Sequence, residues 1–151
     1  MDDEIRAVII TGNEKAFAAG ADITELGDII TPAQALVFVE RAQRVFNKIE
    51  GLKKPVIAAV SGFAFGGGCE LTLACDIRIA DESASFALPE IKLGLLPGGG
   101  GTQRLPRIVG LGRAKALLFS GDPIEMDKVG QYTVWKINDY YAIRWKQLAA
   151  G

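Results

Sequence analysis

Two glutamates and a glycine-rich turn are the residues best suited to chemistry. Glu70 directly follows the run at 66–69 (GGGC), and Glu90 lies in 87–91 (ALPEI), so both have mostly apolar neighbours. Buried carboxylates are costly unless paired, hydrogen-bonded or functional, and low polarity raises their pKa toward the range useful for proton transfer. For Glu90 alone, a carboxylate favoured by a helix start is an equal alternative. The two glutamates together predict acid–base catalysis.

The glycine turn at 66–68 predicts a site for developing negative charge. It separates an apolar segment from a helix-like one, so its N–H groups would point outward with the positive end of the helix dipole behind them. No Walker lysine follows it, and Leu71 stands where GxGxxG requires its last glycine, which disfavours these two kinds of phosphate site. The structural alternative is that the glycines only allow close strand-to-helix packing.

Composition excludes several classes of site. The chain contains no histidine, which removes Ser-His-Asp and Cys-His triads and HExxH zinc sites. Seventeen basic and eighteen acidic side chains give a net charge of -1, so there is no overall electrostatic footprint for nucleic acid or a membrane surface. The remaining candidates for chemistry are carboxylates, amides, hydroxyls and lysines.

The cysteines and the chain start indicate a reducing compartment. Cys69 and Cys75 fit neither a CxxC pair nor a metal-ligand spacing, so we expect buried, reduced thiols. Residues 1–4 (MDDE) are acidic where a secretory signal would be basic, which favours a cytoplasmic protein. The apolar stretch at 55–75 is interrupted by Glu70 and four glycines, and a strand, turn and helix explains it better than a membrane span.

The positioning elements are expected to be alternating strands and helices. Residues 7–10 and 56–60 have the apolar, β-branched composition of buried strands, and a helix from the N-cap Thr31 should end near Gly51. The remaining expectations are a small-residue loop at 16–22, a strand beginning at Ile77, and helical patterning over 103–119. Such alternation predicts an α/β fold with parallel strands.

The last segment differs in composition from the rest of the chain. All three tyrosines and both tryptophans lie between Tyr132 and Trp145. We therefore expect a core at 1–124 and a separate tail at 125–151, with a helix over 137–148.

Five ordered motifs resemble the crotonase superfamily. They are 17–23 (FAAGADI), 58–71 (AAVSGFAFGGGCEL), 74–80 (ACDIRIA), 86–90 (FALPE) and 93–105 (LGLLPGGGGTQRL). Within that superfamily, glutamate at both 70 and 90 resembles the enoyl-CoA hydratase pattern. The resemblance covers about residues 5–124. It implies a crotonase-like (ClpP/crotonase) ββα superhelix, incomplete at both ends, since the family's first strands and its C-terminal helices are not recognised here.

The resemblance also implies residue roles. The backbone N–H groups of Ala21 and Gly67 would form an oxyanion hole for a thioester carbonyl. Glu70 would act mainly as base and Glu90 mainly as donor of the α-carbon proton. The substrate-binding residues would be Ala19, Ala21, Asp22, Ile23, Thr24, Gly67 and Gly98, with Gly98 placing the water and Asp22 organising its turn.

The implied reaction is syn addition of water to a trans-2-enoyl-CoA, giving the 3-hydroxyacyl-CoA. It requires no metal or redox cofactor, because coenzyme A is part of the substrate. Alternatives are double-bond isomerisation, thioester hydrolysis, or a non-catalytic module that binds acyl-CoA or a protein. The family also implies a homo-oligomer, a trimer or hexamer.

Overall fold

A computed structural model describes residues 4–13, 15–125, 133–137 and 140–144. Its strands form two sheets. The first has the order β1-β3-β5-β9-β8, from the strands Val8–Thr11, Val56–Val60, Ile77–Ala80, Tyr140–Arg144 and Thr133–Ile137. β1, β3 and β5 are parallel, and β9 and β8 add antiparallel pairs at one edge. The predicted strands at 7–10, at 56–60 and from Ile77 are all confirmed within one residue.

The second sheet is made of short strands that the sequence analysis missed. Its order is β2-β4-β6-β7, from Ala16–Ala18, Phe63–Phe65, Ser85–Ala87 and Ile124–Glu125. The first three strands are parallel and β7 is antiparallel. β2 corrects the loop expected at 16–22, because its pairing with β4 supplies the hydrogen bonds of that backbone.

The helices connect successive strand pairs. They are α1 (Ile23–Gly27), α2 (Pro32–Glu50), α3 (Gly67–Ala74), a 3₁₀-helix (Pro89–Leu93), α4 (Gly101–Val109) and α5 (Leu111–Ser120). α2 begins at the predicted N-cap: the Thr31 side chain accepts a hydrogen bond from the N–H of Gln34, and the Gln34 side chain accepts one from the N–H of Thr31. Gly51 ends this helix as predicted.

The chain therefore repeats a unit of two strands and a helical connection. In each unit the first strand joins one sheet and the second joins the other: β1 and β2, β3 and β4, β5 and β6. This repetition confirms the predicted parallel α/β class. α2 contacts α3, and α3 contacts α4, so the connections that follow β2, β4 and β6 lie side by side, and these connections carry the predicted site.

Two apolar clusters hold the units together. One lies between the sheets and includes Val56, Ala58 and Ala64, each no more than 1% exposed. The other joins α3 to α4 and α5 through Leu73, Leu105 and other buried residues. Both flank α3, so this helix is fixed on two sides.

The tail differs from expectation. The helix predicted over 137–148 is wrong where the structure describes that segment, since Tyr140–Arg144 is a strand paired with β5 and with β8. Its β-branched and aromatic content suits a strand, and β5 offers an edge with unpaired backbone groups. Residues 145–148 lie outside the described residues. Across the described residues, no helix combines the length and apolar character needed to cross a membrane.

Candidate active site

The start of α3 lies against the turn that follows β2. Gly66 is the N-cap with φ 52°, and it makes no side-chain cap. Gly20, with φ 95°, lies so close that a Cβ built on it would be 3.0 Å from the Gly67 nitrogen. A Cβ built on Gly67 would be 3.8 Å from the Ala21 nitrogen. The structure thus places close together the two amides, those of Ala21 and Gly67, that the family resemblance implies as a pair.

Within the described part of the chain, the N–H groups of Ala21 and Gly67 donate to no backbone or side-chain acceptor. Gly67 is the first residue of α3, where N–H groups have no partner inside the helix and the dipole is positive. The two groups are adjacent donors available to an external oxygen.

The predicted substrate-binding residues after Ala21 form the start of α1. Asp22 is the N-cap, and its Oδ1 accepts from the Thr24 N–H at 2.8 Å and from the Thr24 hydroxyl at 2.6 Å. These bonds lower the pKa of Asp22, so its carboxylate remains charged and organises the turn. Ala19, Ala21, Ile23 and Thr24 are all exposed, forming an accessible strip beside Gly67.

Glu70 is buried one turn into α3, at 3% exposure. Its Oε1 accepts a hydrogen bond of 2.8 Å from the Gly101 N–H. Burial raises the pKa of this carboxyl, while the N–H groups of Gly99, Gly100 and Gly101 and the charge of Arg104 oppose that rise. Glu70 therefore combines a desolvated position with donors that favour its charged form.

Glu90 approaches the same region from the 3₁₀-helix. A Cβ built on Gly66 would lie 3.1 Å from its Oε1, so this carboxyl lies beside the start of α3. Its Oε2 is buried and has no hydrogen-bond partner among the described residues. Burial and the charge of Glu70 both raise the pKa of Glu90. The two glutamates are thus electrostatically coupled.

The glycine run at 98–101 accepts hydrogen bonds from side chains that the sequence analysis did not identify. Gln43 on α2 donates to the Gly98 carbonyl at 2.7 Å, and Arg104 on α4 donates to the Gly99 carbonyl at 2.9 Å. The Arg104 guanidinium also bonds Asn47 at 2.6 Å and Glu50 at 2.8 Å. α4 buries Arg104 together with Leu105. An arginine among the apolar positions of this helical pattern was the one local sequence signal for the network.

A cavity of about 410 Å³ lies between α2, the glycine run and α4. Its lining includes Gly98, Gln43 and Arg104, but neither Glu70 nor Glu90. The cavity therefore adjoins the back of the glycine run, and the paired amides of Ala21 and Gly67 lie elsewhere, on the start of α3.

The cysteines are structural, as expected. Cys69 and Cys75 are free, buried thiols. Burial raises the pKa of Cys69 to about 12 and that of Cys75 to about 11, so both remain protonated and poorly nucleophilic at neutral pH. The described residues contain no group of three or more side chains suited to holding a metal ion.

Taken together, the site offers two free N–H donors and two coupled carboxyls around the start of one helix. Paired N–H groups can stabilise an oxyanion, and two carboxyls of raised pKa can exchange protons with a substrate and water. This combination is suited to chemistry next to a carbonyl group.

Comparison with known proteins identifies the family. A sequence model described as "Enoyl-CoA hydratase/isomerase" matches residues 1–135. The chain is 52% identical over 128 residues to a short-chain-enoyl-CoA hydratase of Clostridium acetobutylicum, covering 84% of this chain and 49% of the relative. It is equally similar to a crotonyl-CoA hydratase of Syntrophomonas wolfei, with the same coverage.

Solved structures agree with this result. The crystal structure of an enoyl-CoA hydratase from Bacillus anthracis superposes with a TM-score of 0.80 at 46% identity, over 86% of this chain and 50% of that one. The Pseudomonas aeruginosa protein DspI gives 0.81 at 41% identity, over 86% and 50%. The chain spans about half the length of these relatives. By sequence and by its crotonase fold, the chain belongs to the enoyl-CoA hydratase/isomerase family.

Proposed function

We propose that this chain carries the catalytic residues of an enoyl-CoA hydratase, which adds water to a trans-2-enoyl-CoA and forms the 3-hydroxyacyl-CoA. One observation carries the proposal: the buried Glu70 and the half-buried Glu90 adjoin a pair of N–H groups that have no acceptor among the described residues. The relatives described as short-chain-enoyl-CoA and crotonyl-CoA hydratases favour a short acyl chain.

In the proposed reaction, the N–H groups of Ala21 and Gly67 bind the thioester oxygen. The oxygen of water attacks the β-carbon, and the π electrons move onto the thioester oxygen to form an enolate. The two donors stabilise this charge more strongly in the transition state than in the bound substrate. Collapse of the enolate with a proton at the α-carbon completes the product.

The environments of the two glutamates support different roles. Glu70 accepts N–H donors that favour its ionised form, so it takes the proton from the attacking water. Glu90 has an unpartnered oxygen and feels the charge of Glu70, so it holds a proton and gives it to the α-carbon. Both act from the same side of the double bond, which gives syn addition. The proton on Glu70 then returns to Glu90, and no metal or redox cofactor enters the balance.

The test is an assay of crotonyl-CoA hydration, in which the loss of the conjugated-thioester absorbance measures turnover. Glu90→Gln removes the α-carbon proton donor while preserving shape, and we expect turnover to fall by about 10²–10⁴-fold. Coenzyme A affinity, measured by calorimetry, should remain near that of the parent. Glu40→Gln, an exposed glutamate on α2, is the matched control and should have parental turnover.

Because the chain spans half of its relatives, the assay is run in parallel on a chain extended with family-like flanking segments. Undiminished turnover of Glu90→Gln in both chains would contradict the assignment. Conversion of a 3-enoyl-CoA without hydration of crotonyl-CoA would instead establish isomerisation, the other activity in the family description. Release of free coenzyme A would establish thioester hydrolysis. Binding without turnover in the extended chain would establish a non-catalytic module.

A further inference from the structure

Two side chains hold consecutive carbonyl groups of the glycine run. Gln43 Nε2 lies 2.7 Å from the Gly98 oxygen, and Arg104 donates to the Gly99 oxygen at 2.9 Å. Gln43 belongs to α2 and lies 55 residues before Gly98 in the sequence, whereas Arg104 belongs to α4 and follows Gly99 by five residues. Neither accepting carbonyl lies in a helix or a strand, so the two side chains supply hydrogen bonds that regular secondary structure does not.

Fixing a carbonyl group also fixes the N–H group of the same peptide unit. In a trans peptide the C=O and N–H bonds point in opposite directions, and the described residues contain no cis peptide. Holding the Gly98 oxygen therefore aims the Gly99 N–H away from Gln43. Holding the Gly99 oxygen likewise aims the Gly100 N–H away from the Arg104 guanidinium.

Glu70 is the carboxylate that the amides of the glycine run stabilise. The Gly101 N–H donates to Glu70 Oε1 at 2.8 Å, and the N–H groups of Gly99 and Gly100 act on the same carboxylate. A Cβ built on Gly99 would lie 2.4 Å from a ring carbon of Phe46 on α2 and 2.6 Å from Glu70 Oε2. The run is thus confined between α2 and the carboxylate.

The guanidinium of Arg104 is itself held in place by α2. Asn47 accepts from it at 2.6 Å, and Glu50 accepts from two of its nitrogens at 2.8 and 3.2 Å. Gln43, Asn47 and Glu50 follow steps of four and three residues, so they share one face of the helix. A Cβ built on Gly100 would clash with the guanidinium at 2.2 Å, which explains a glycine there.

We propose that Gln43 and Arg104 are positioning residues that orient the amides of the glycine run toward the carboxylate of Glu70. Their effect on turnover rests on the proposed function, but their effect on Glu70 itself is independent of it. Among the described residues, Arg104 on α4, Glu90 on the 3₁₀-helix and Cys69 on α3 interact electrostatically with Glu70, and Glu50 on α2 pairs with Arg104.

The experiment follows the ionisation of Glu70 in the folded chain. The side-chain carboxyl carbon is observed by NMR in protein with ¹³C-labelled glutamate, and Glu70→Gln assigns the signal. Gln43→Leu removes an uncharged donor, and Arg104→Lys keeps the positive charge but loses the fork that reaches Asn47, Glu50 and the Gly99 carbonyl. Misdirected amides stabilise the carboxylate less, so both variants should raise the pKa of Glu70, weakening its acidity about three- to tenfold.

Gln103→Leu is the matched control, because Gln103 lines the same cavity without bonding the Gly98 or Gly99 carbonyl. Its Glu70 signal should titrate as in the parent. Circular dichroism checks that each variant is folded, and should Arg104→Lys not fold, the exposed Gln43 still gives the test. An unchanged titration in folded Gln43→Leu would overturn the proposal. A catalytically silent chain whose Glu70 titration still shifts would leave it standing and count against the proposed function alone.

Discussion

Addition of a single methyl group at Gly67 tests the geometry of the candidate site. A Cβ at this position would meet Gly20 Cα at 3.6 Å and the Ala21 nitrogen at 3.8 Å, which are ordinary contact distances. Gly67→Ala should therefore fold, and alanine favours the helix more than glycine does. The methyl group would nonetheless occupy the space in front of the Ala21 N–H. We expect crotonyl-CoA turnover to fall by about 10²–10³-fold, as for loss of one oxyanion donor.

The control for that variant is Gly112→Ala on α5. A Cβ at Gly112 would have no atom within 4 Å, and this residue is also in a helix. Its turnover should equal that of the parent, and the melting temperatures of both variants should be no lower than the parental value. Equal activities of the two variants would show that the space beside Ala21 is not used by the substrate.

Glu90 makes stability depend on pH. Burial raises its pKa from the ordinary value of 4.5, so between 4.5 and the raised value the folded chain binds more protons than the unfolded chain. The free energy of unfolding therefore falls as pH rises through this window. Glu90→Gln is neutral throughout, and we expect a smaller fall and a higher melting temperature at pH 7, by about 2–4 °C per kcal/mol recovered.

Thermal unfolding followed by circular dichroism between pH 4 and pH 8 checks this expectation. Glu40→Gln, whose carboxyl is exposed, should follow the parental pH dependence. A melting temperature of Glu90→Gln below the parental value at pH 7 would contradict this expectation, because it would show that the Glu90 carboxylate stabilises the fold.

At the scale of elements, α2 depends on its N-terminal cap. Both hydrogen bonds of the capping box join Thr31 and Gln34. Thr31→Ala removes the side-chain acceptor and should lower the free energy of unfolding by about 1 kcal/mol in urea denaturation. Thr31→Ser keeps a hydroxyl and should lose less than half of that. Identical losses in the two variants would show that the hydroxyl does not cap the helix.

The accuracy of the sequence predictions followed how local each signal was. α2 was predicted because its cap and its apolar spacing lie within one segment, and β3 because five apolar residues are continuous. The strands of the second sheet have two or three residues each, too few to show alternation. Their pairing depends on residues that are distant in sequence, so no local pattern predicts it.

The candidate site divides in the same way. The glycine turn at 66–68 and Glu70 could be proposed from the sequence because they stand in one motif, and the choice of Gly67 within that turn came from the family resemblance. Gln43 and Arg104 were not found, because Gln43 is 55 residues from Gly98 and Arg104 is 54 residues from Glu50. Only the packing of α2 against the glycine run and α4 brings these groups together.

At the scale of the whole molecule, large apolar side chains remain exposed. Ile30, Leu96 and Phe119 are each more than 70% exposed, and Val37 on α2 is 65% exposed. Apolar surface of this extent favours association. We expect the sedimentation coefficient of the chain to rise with concentration, and Val37→Glu with Phe119→Glu to reduce that rise. A single, constant monomer value from micromolar to millimolar protein would contradict this, and with it the expected homo-oligomer.

One rigid body carries both the Gly67 N–H and the Glu70 carboxyl, because the two lie three residues apart on α3. Their spacing is set by helix geometry and does not change when α3 shifts against its neighbours. Glu90 arrives on a different segment, the 3₁₀-helix, and is held by other contacts. On the proposed function, a substitution at Glu90 would therefore change the proton chemistry and leave the spacing between the Gly67 N–H and the Glu70 carboxyl as it is.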